Sequence, residues 1–276
     1  MESIELKLSS GTLHALRSGA GRGTPVVCVP GLSANARSFD AIARELDPRH
    51  PVVRLDLRGR GMSPAGAPGS LGWRRHAEDV LSAATQLGIE AFDLVGHSMG
   101  AFVSMQTAAL GPARVRKLVL IDGVGAPEPA VVPPILAAVQ RLNVVYRSEA
   151  EYCELVHKSG AAQPWDELWK DHYLYELERV PGGFQPRTSK TAVTEDVIYG
   201  SRNDARAFWP ALRMPTLLVR ASRPLLPGTG FVVGVKLRDA FLEAVPSARA
   251  AEVDANHYGV MAHPDALREI SRFLSD

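Results

Sequence analysis

Residues 91–110 read AFDLVGHSMGAFVSMQTAAL. An apolar run, FDLV, is followed at once by GHSMG, with Ser98 at its centre, and then by a segment with helical spacing. The glycines at 96 and 100 allow a tight turn between strand and helix, because they have no side chain to obstruct close packing. A serine on such a turn has an exposed hydroxyl. The stretch therefore predicts a serine nucleophile between a strand and a helix.

The pattern continues on both sides of this stretch. Short apolar runs rich in β-branched residues alternate with amphipathic segments, and SIELKL and GTLHALRS at the start suggest an antiparallel hairpin. Strands that alternate with helices predict an α/β fold with a mostly parallel central sheet covered on both faces. The predicted strands lie in residues 24–31, 50–57, 91–98 and 115–123.

The alternation stops near residue 124 and resumes at 215 with TLLVR, a helix, ARAAEV and a final helix. The intervening segment is rich in Trp, Tyr, Glu and Lys and indicates several short helices. We therefore expect a core of residues 1–123 and 213–276, with residues 124–212 as a helical cap hinged at 123–125 and 213–215.

Composition limits the choice of partners. The 276-residue chain is 46% hydrophobic and 22% charged, with a formal net charge of +1, which gives no electrostatic reason to expect nucleic acid or an anionic membrane. We expect a small-molecule substrate, a monomer or homodimer, and, without an apolar leader or a long apolar run, a cytoplasmic location. Neither Cys28 nor Cys153 has a metal-ligand neighbour at short spacing, and no metal or other cofactor is expected.

A serine hydroxyl needs a base to take its proton. His257 lies in VDANHYGVMAHP, between the last apolar run and the last helix, on a loop expected at the same sheet edge as Ser98. His97 is expected to point away from Ser98, and His157 and His172 to lie on solvated faces of the inserted helices. His257 is the predicted base.

Acyl transfer also needs donors for the charge that develops on the carbonyl oxygen. VCVPGLSAN places Leu32 just after a strand, and Met99 follows the serine. The backbone N–H groups of Leu32 and Met99 are the predicted oxyanion hole.

With these motifs together, the chain resembles the α/β-hydrolase superfamily. The resemblance covers residues 1–123 and 213–276 and rests on VPGLSAN, DLRGRGMS, GHSMG and NHYGVMAHPDALREISRFL. It implies a helical cap over the site and only a supporting role for Asp56 and Arg58.

The position of the third catalytic group departs from the common pattern of this superfamily. Most members carry an aspartate after the seventh strand, where this chain has ASRP and no carboxylate before Asp239. Some members take the acid from the end of the sixth strand, where Asp122 stands in LVLIDGVG. Asp122 is the predicted acid. Asp254, three residues before His257, and a Ser–His pair without an acid remain alternatives.

The resemblance implies hydrolysis through an acyl-enzyme on Ser98, and we expect an ester or lactone of a small, partly apolar substrate. An amide or carbon–carbon bond hydrolase uses the same triad, and a few members of this superfamily are ligand receptors or cofactor-free oxygenases. The aromatic residues expected to line the substrate pocket are Trp165, Trp169, Tyr173 and Tyr258.

Overall fold

The computed structural model describes all 276 residues. None of its helices combines the length and apolar character needed to cross a membrane. The ten strands are β1 Glu2–Leu8, β2 Gly11–Ser18, β3 Val26–Val29, β4 Val52–Asp56, β5 Phe92–His97, β6 Val115–Ile121, β7 Leu177–Val180, β8 Gly183–Pro186, β9 Thr216–Ala221 and β10 Ala248–Val253. The nine α-helices are α1 Asp40–Leu46, α2 Trp73–Gln86, α3 Met99–Leu110, α4 Val132–Val139, α5 Glu149–Lys158, α6 Glu167–Tyr175, α7 Lys190–Arg202, α8 Val235–Ala244 and α9 Pro264–Ser275.

Eight strands form one sheet in the order β1-β2-β4-β3-β5-β6-β9-β10. The β1–β2 and β2–β4 pairs are antiparallel, and every other pair is parallel. This confirms the predicted α/β fold and the hairpin at its edge. Because the carboxyl ends of parallel strands meet at one edge, the loops after β3, β5, β6 and β10 converge there.

The sheet is buried on both faces. Leu94 belongs to the apolar cluster under α2, α3 and α8, whereas its neighbour Val95 belongs to the cluster under α1 and α9. Leu118 and Val119 of β6 divide in the same way. Successive side chains of a strand point to opposite faces, so continuous apolar runs are what a doubly covered parallel sheet requires.

The segment between β6 and β9 adds no strand to the main sheet. It contains α4 to α7, but also the antiparallel hairpin β7–β8. The expected short helices are present, but the hairpin was not predicted, because four-residue strands joined through Pro181 and Gly182 are too short to show a clear alternation. Gly182 has φ 90°, a conformation that glycine adopts without strain. That this insert is a discrete cap with the predicted hinges stays a prediction.

Polar groups join the insert to the core near β4. The Tyr175 hydroxyl donates to Asp56 Oδ2 at 2.7 Å, and Arg37 Nη2 donates to Asp171 at 3.0 Å. Asp56 also accepts the Ala36 N–H at 2.7 Å. The buried carboxylate at the end of β4 therefore joins α6 of the insert to the loop before α1.

Candidate active site

Ser98 occupies a sharp turn between β5, which ends at His97, and α3, which begins at Met99. Its backbone has φ 57° and ψ −123°, and its N–H donates to the Ile121 carbonyl at 3.0 Å. A non-glycine residue in this region costs about 1–3 kcal/mol, and such strain is concentrated at functional sites. The turn leaves the Ser98 side chain partly exposed at the carboxyl edge of the sheet.

The two glycines of GHSMG are required by close packing. A Cβ on Gly100 would overlap the carbonyl oxygens of Val29 and Pro30, and one on Gly96 would overlap the carbonyl of Gly100. The turn is therefore possible only because both positions lack a side chain, as the sequence pattern indicated.

His257 and Asp122 meet at the same edge. Asp122 Oδ2 lies 2.8 Å from His257 Nδ1, and both side chains are buried. The second carboxylate oxygen of Asp122 accepts the Ala221 N–H at 3.2 Å. A carboxylate has no proton to donate at neutral pH, so Nδ1 carries the hydrogen and Nε2 presents its lone pair. His257 Nε2 has no hydrogen-bond partner in the structure, and it makes no hydrogen bond with Ser98 Oγ.

The other carboxylates considered from the sequence lie elsewhere. Asp254 is exposed and pairs with Arg223 at 2.6 Å, which lowers the pKa of Asp254. Asp239 is also exposed and pairs with Arg238. Of the three carboxylates, only Asp122 contacts the imidazole ring of His257.

His97 packs against the predicted base, and its expected direction away from Ser98 stays a prediction. Its ring lies 4.5 Å from the ring of His257, centroid to centroid, and its Nε2 donates to the His257 carbonyl at 3.0 Å. Burial, reinforced by the neighbouring charge of His257, lowers the pKa of His97 well below its ordinary value. His97 is therefore a neutral support for the loop that carries His257.

The predicted oxyanion donors flank Ser98. A Cβ on Gly31 would lie 3.3 Å from Ser98 Cβ, so the backbone that leads into Leu32 passes directly over the serine. The Leu32 N–H donates to no backbone carbonyl. Met99 is the first residue of α3, where an N–H has no acceptor within the helix. Neither amide has a backbone acceptor, and their role as an oxyanion hole stays a prediction.

The four predicted pocket residues form one aromatic cluster. The ring of Tyr258 lies 5.4 Å from that of His257, and Trp169 packs edge-on against Tyr258 at 6.1 Å. Trp165 stacks on Tyr173 at 5.8 Å. Trp169 and Tyr173 are buried, whereas Trp165 and Tyr258 are partly exposed. The cluster connects α6 to the His257 loop, and its contact with a substrate stays a prediction.

His172 was expected on a solvated face, but it is buried with 3% exposure. Burial, with the charges of Arg141 and Arg37, lowers its pKa to about 3, and the ring is neutral. Its Nδ1 has no partner, while its backbone carbonyl accepts from Asn35 at 3.1 Å. The sequence carried a signal for this burial, because Trp169, His172 and Tyr173 share one helical face.

The alpha/beta hydrolase fold model matches residues 24–264. The chain therefore belongs to the α/β-hydrolase family, and hydrolase is the broad class that this membership supports.

Among known proteins, the chain is 28% identical over 218 residues to N-formylmaleamate deformylase of Pseudomonas putida, covering 76% of this chain and 74% of the relative. It is 26% identical over 264 residues to esterase YbfF of Escherichia coli, covering 92% and 94%. The crystal structure of E-2-(acetamidomethylene)succinate hydrolase superposes with a TM-score of 0.88 at 23% identity, over 100% of this chain and 99% of that one. That structural likeness shows the shared fold.

Proposed function

We propose that the protein hydrolyses a carboxylic ester or lactone of a small, partly apolar molecule through an acyl-enzyme on Ser98. The observation that carries this proposal is the 2.8 Å contact between His257 Nδ1 and Asp122 Oδ2, beside a serine held on a strained turn. The arrangement supplies a nucleophile, a base with a defined tautomer and a buried anion that orients the base.

In the first step, Ser98 Oγ attacks the carbonyl carbon while His257 Nε2 takes its proton. The carbonyl oxygen becomes an anion between the amides of Leu32 and Met99. Asp122 stabilises the imidazolium by charge and stays ionised. When the tetrahedral intermediate collapses, the imidazolium returns its proton to the leaving alcohol. Water then attacks the acyl carbon while His257 takes its proton. The proton passes to Ser98 Oγ as the acid leaves.

Two further groups support the base in this scheme. Neutral His97 holds the carbonyl of His257 without adding a second positive charge beside the imidazolium. The Ala221 N–H donates to Asp122 Oδ1 at 3.2 Å and so holds the carboxylate in the orientation that contacts His257. A proton acquired by His257 during attack is therefore stabilised from the side opposite Ser98.

Amide hydrolysis is the second candidate, and the relative named N-formylmaleamate deformylase favours it. The same imidazolium would protonate an amine leaving group. A carbon–carbon bond hydrolase, a ligand receptor and a cofactor-free oxygenase are the other possibilities for such a site, and substrate tests separate them from the first two.

The deciding experiment measures turnover of p-nitrophenyl acetate, butyrate and octanoate, with a panel of N-formyl and N-acetyl amides assayed in parallel. The Ser98→Ala protein is the control for background hydrolysis. Turnover of esters that is lost in Ser98→Ala supports the first candidate, and turnover of amides alone supports the second. Binding of panel compounds, seen as a thermal shift, with no turnover in the parent protein would support a receptor.

A further inference from the structure

Arg60 is a fully buried cation in the loop after β4, and the mechanism above does not use it. Its Nε donates to the Leu32 carbonyl at 3.0 Å, and its Nη1 donates to the Arg58 carbonyl at 2.7 Å. Its Nη2 donates to Asp196 Oδ2 at 2.5 Å. All three nitrogens are occupied and none is exposed, so Arg60 is not a substrate-binding group.

The partner of this cation comes from the insert. Asp196 lies on α7 with 1% exposure, and its Oδ2 also lies 3.0 Å from His76 Nε2 on α2. Burial alone raises the pKa of this carboxyl, but hydrogen bonds and charge from His76 and Arg60 outweigh it and lower the pKa below its ordinary value. Asp196 is therefore an anion that joins the insert to two groups of the core.

The same face of α7 contributes to an apolar cluster against which Leu32 packs. Val193, three positions before Asp196, packs with Val139 and Leu142 in a small apolar cluster that includes the Leu32 side chain. Residues three positions apart share one face of a helix. One face of α7 is thus linked to Leu32 in two ways, through the apolar cluster that contains Val193 and through Arg60, which joins Asp196 to the Leu32 carbonyl.

We propose that Arg60 and Asp196 are positioning residues that fix the oxyanion donor Leu32, so that the hole is ordered only when α7 is seated on the core. This inference rests on the proposed function, because it takes the Leu32 N–H as an oxyanion donor. That N–H and the carbonyl held by Arg60 flank the same Cα. Holding the carbonyl with a charged donor fixes the peptide plane that follows the Leu32 Cα and so limits the movement of the N–H on the other side of that Cα. Stabilisation of an oxyanion depends on donors aimed in advance.

Asp196→Asn tests the proposal, with Asp171→Asn as its matched control. Both replace an inserted-segment carboxylate that pairs with a core arginine, but Arg37, the partner of Asp171, does not contact Leu32. The readouts are kcat and KM for p-nitrophenyl butyrate and the inhibition constant of an aryl trifluoromethyl ketone. Ser98 Oγ adds reversibly to that ketone carbon, its proton passes to His257, and the carbonyl oxygen becomes an anion in the hole.

We expect Asp196→Asn to lower kcat about 10- to 100-fold and to weaken the ketone by a similar factor, because loss of one whole donor costs about 10²- to 10³-fold. KM should change less than about threefold, since ground-state binding does not use the hole. Asp171→Asn should stay within about threefold of the parent in all three quantities.

A double variant covers the case in which a lone buried Arg60 prevents folding. Arg60→Met with Asp196→Asn removes both charges, and the amide oxygen of the new asparagine can still accept a hydrogen bond from His76. Replacing a buried ion pair with uncharged groups is often neutral for stability. This folded variant should show the same loss of kcat and of ketone affinity.

The two proposals fail in different ways. If the parent neither turns over esters nor forms the ketone adduct, the proposed function is wrong and this inference falls with it. If the parent does both, and the folded Asp196→Asn or double variant matches Asp171→Asn, the proposed function stands and the positioning role is overturned.

Discussion

Asp122 and His257 are 135 positions apart, yet Asp122 Oδ2 lies 2.8 Å from His257 Nδ1. Asp122 follows β6, whereas the loop after β9, where most members of this family carry the acid, begins with Ser222 and Arg223. Because β6 lies between β5 and β9 in the sheet, its carboxyl end borders both the Ser98 turn and the end of β9. A carboxylate there reaches Nδ1 of His257 and leaves Nε2 without a partner.

Asp122→Asn should lower kcat for the best ester substrate by roughly 10³- to 10⁴-fold, with little change in KM. The neutral amide favours the wrong tautomer of His257 and does not stabilise the imidazolium. Asp254→Asn and Asp239→Asn are the controls and should cost about tenfold or less. A large loss in either control, with Asp122→Asn near the parent, would show that another carboxylate serves His257.

A serine-directed fluorophosphonate should label the protein at neutral pH, and peptide mass spectrometry should place the adduct on Ser98. Phosphonylation requires the activated hydroxyl and the oxyanion donors but no particular ester. Ser98→Ala should not be labelled. Labelling confined to another serine would contradict the assignment of the nucleophile.

His97→Leu should destabilise the protein by about 1–3 kcal/mol, because it leaves the buried His257 carbonyl without a donor. It should also lower kcat, since the loop that carries His257 loses its support. His97→Gln retains an N–H donor and should recover most of both quantities. Urea unfolding measures the stability of the two variants, and ester kinetics measure their kcat. If His97→Leu and His97→Gln lose stability and kcat equally, the supporting hydrogen bond is ruled out.

Asp93→Asn should stabilise the protein at pH 7 but not at pH 4. Burial raises the pKa of Asp93 to about 6, against the opposing charges of Arg116, Lys117 and His50. A raised carboxyl pKa means that ionising Asp93 costs free energy in the folded state. This loss of stability is absent below the pKa of the unfolded state and is complete once the pH exceeds about 6.

The expected gain for Asp93→Asn is up to about 2 kcal/mol at pH 7, measured by urea unfolding from pH 4 to 8. Asp47→Asn, at an exposed position, controls for the loss of one negative charge. A gain that is independent of pH would show that the Asp93 carboxyl does not carry the penalty.

The strand pattern, the position of Ser98 and the loop of His257 could be read from the sequence because they depend on local chemistry. Continuous apolar runs such as VVCV and LVLI require a sheet covered on both faces, and GHSMG requires glycine where backbones meet. The sequence also indicated Asp122, but only as the most favoured of several choices. Nothing local separates a carboxylate that faces a histidine from one that caps its own turn.

Tertiary structure alone decided which distant groups meet. The hairpin β7–β8 was missed because its strands are too short for a period to show. The burial of His172 and the contact of His97 with His257 were missed because a histidine has the same local preferences whether it faces solvent or packs against another ring. Arg60, Asp196 and His76 lie on three separate elements, and the buried Asp196 carboxylate contacts both of the others. Such burial depends on the packing of α7 against the core, a long-range relationship that no spacing in the chain records.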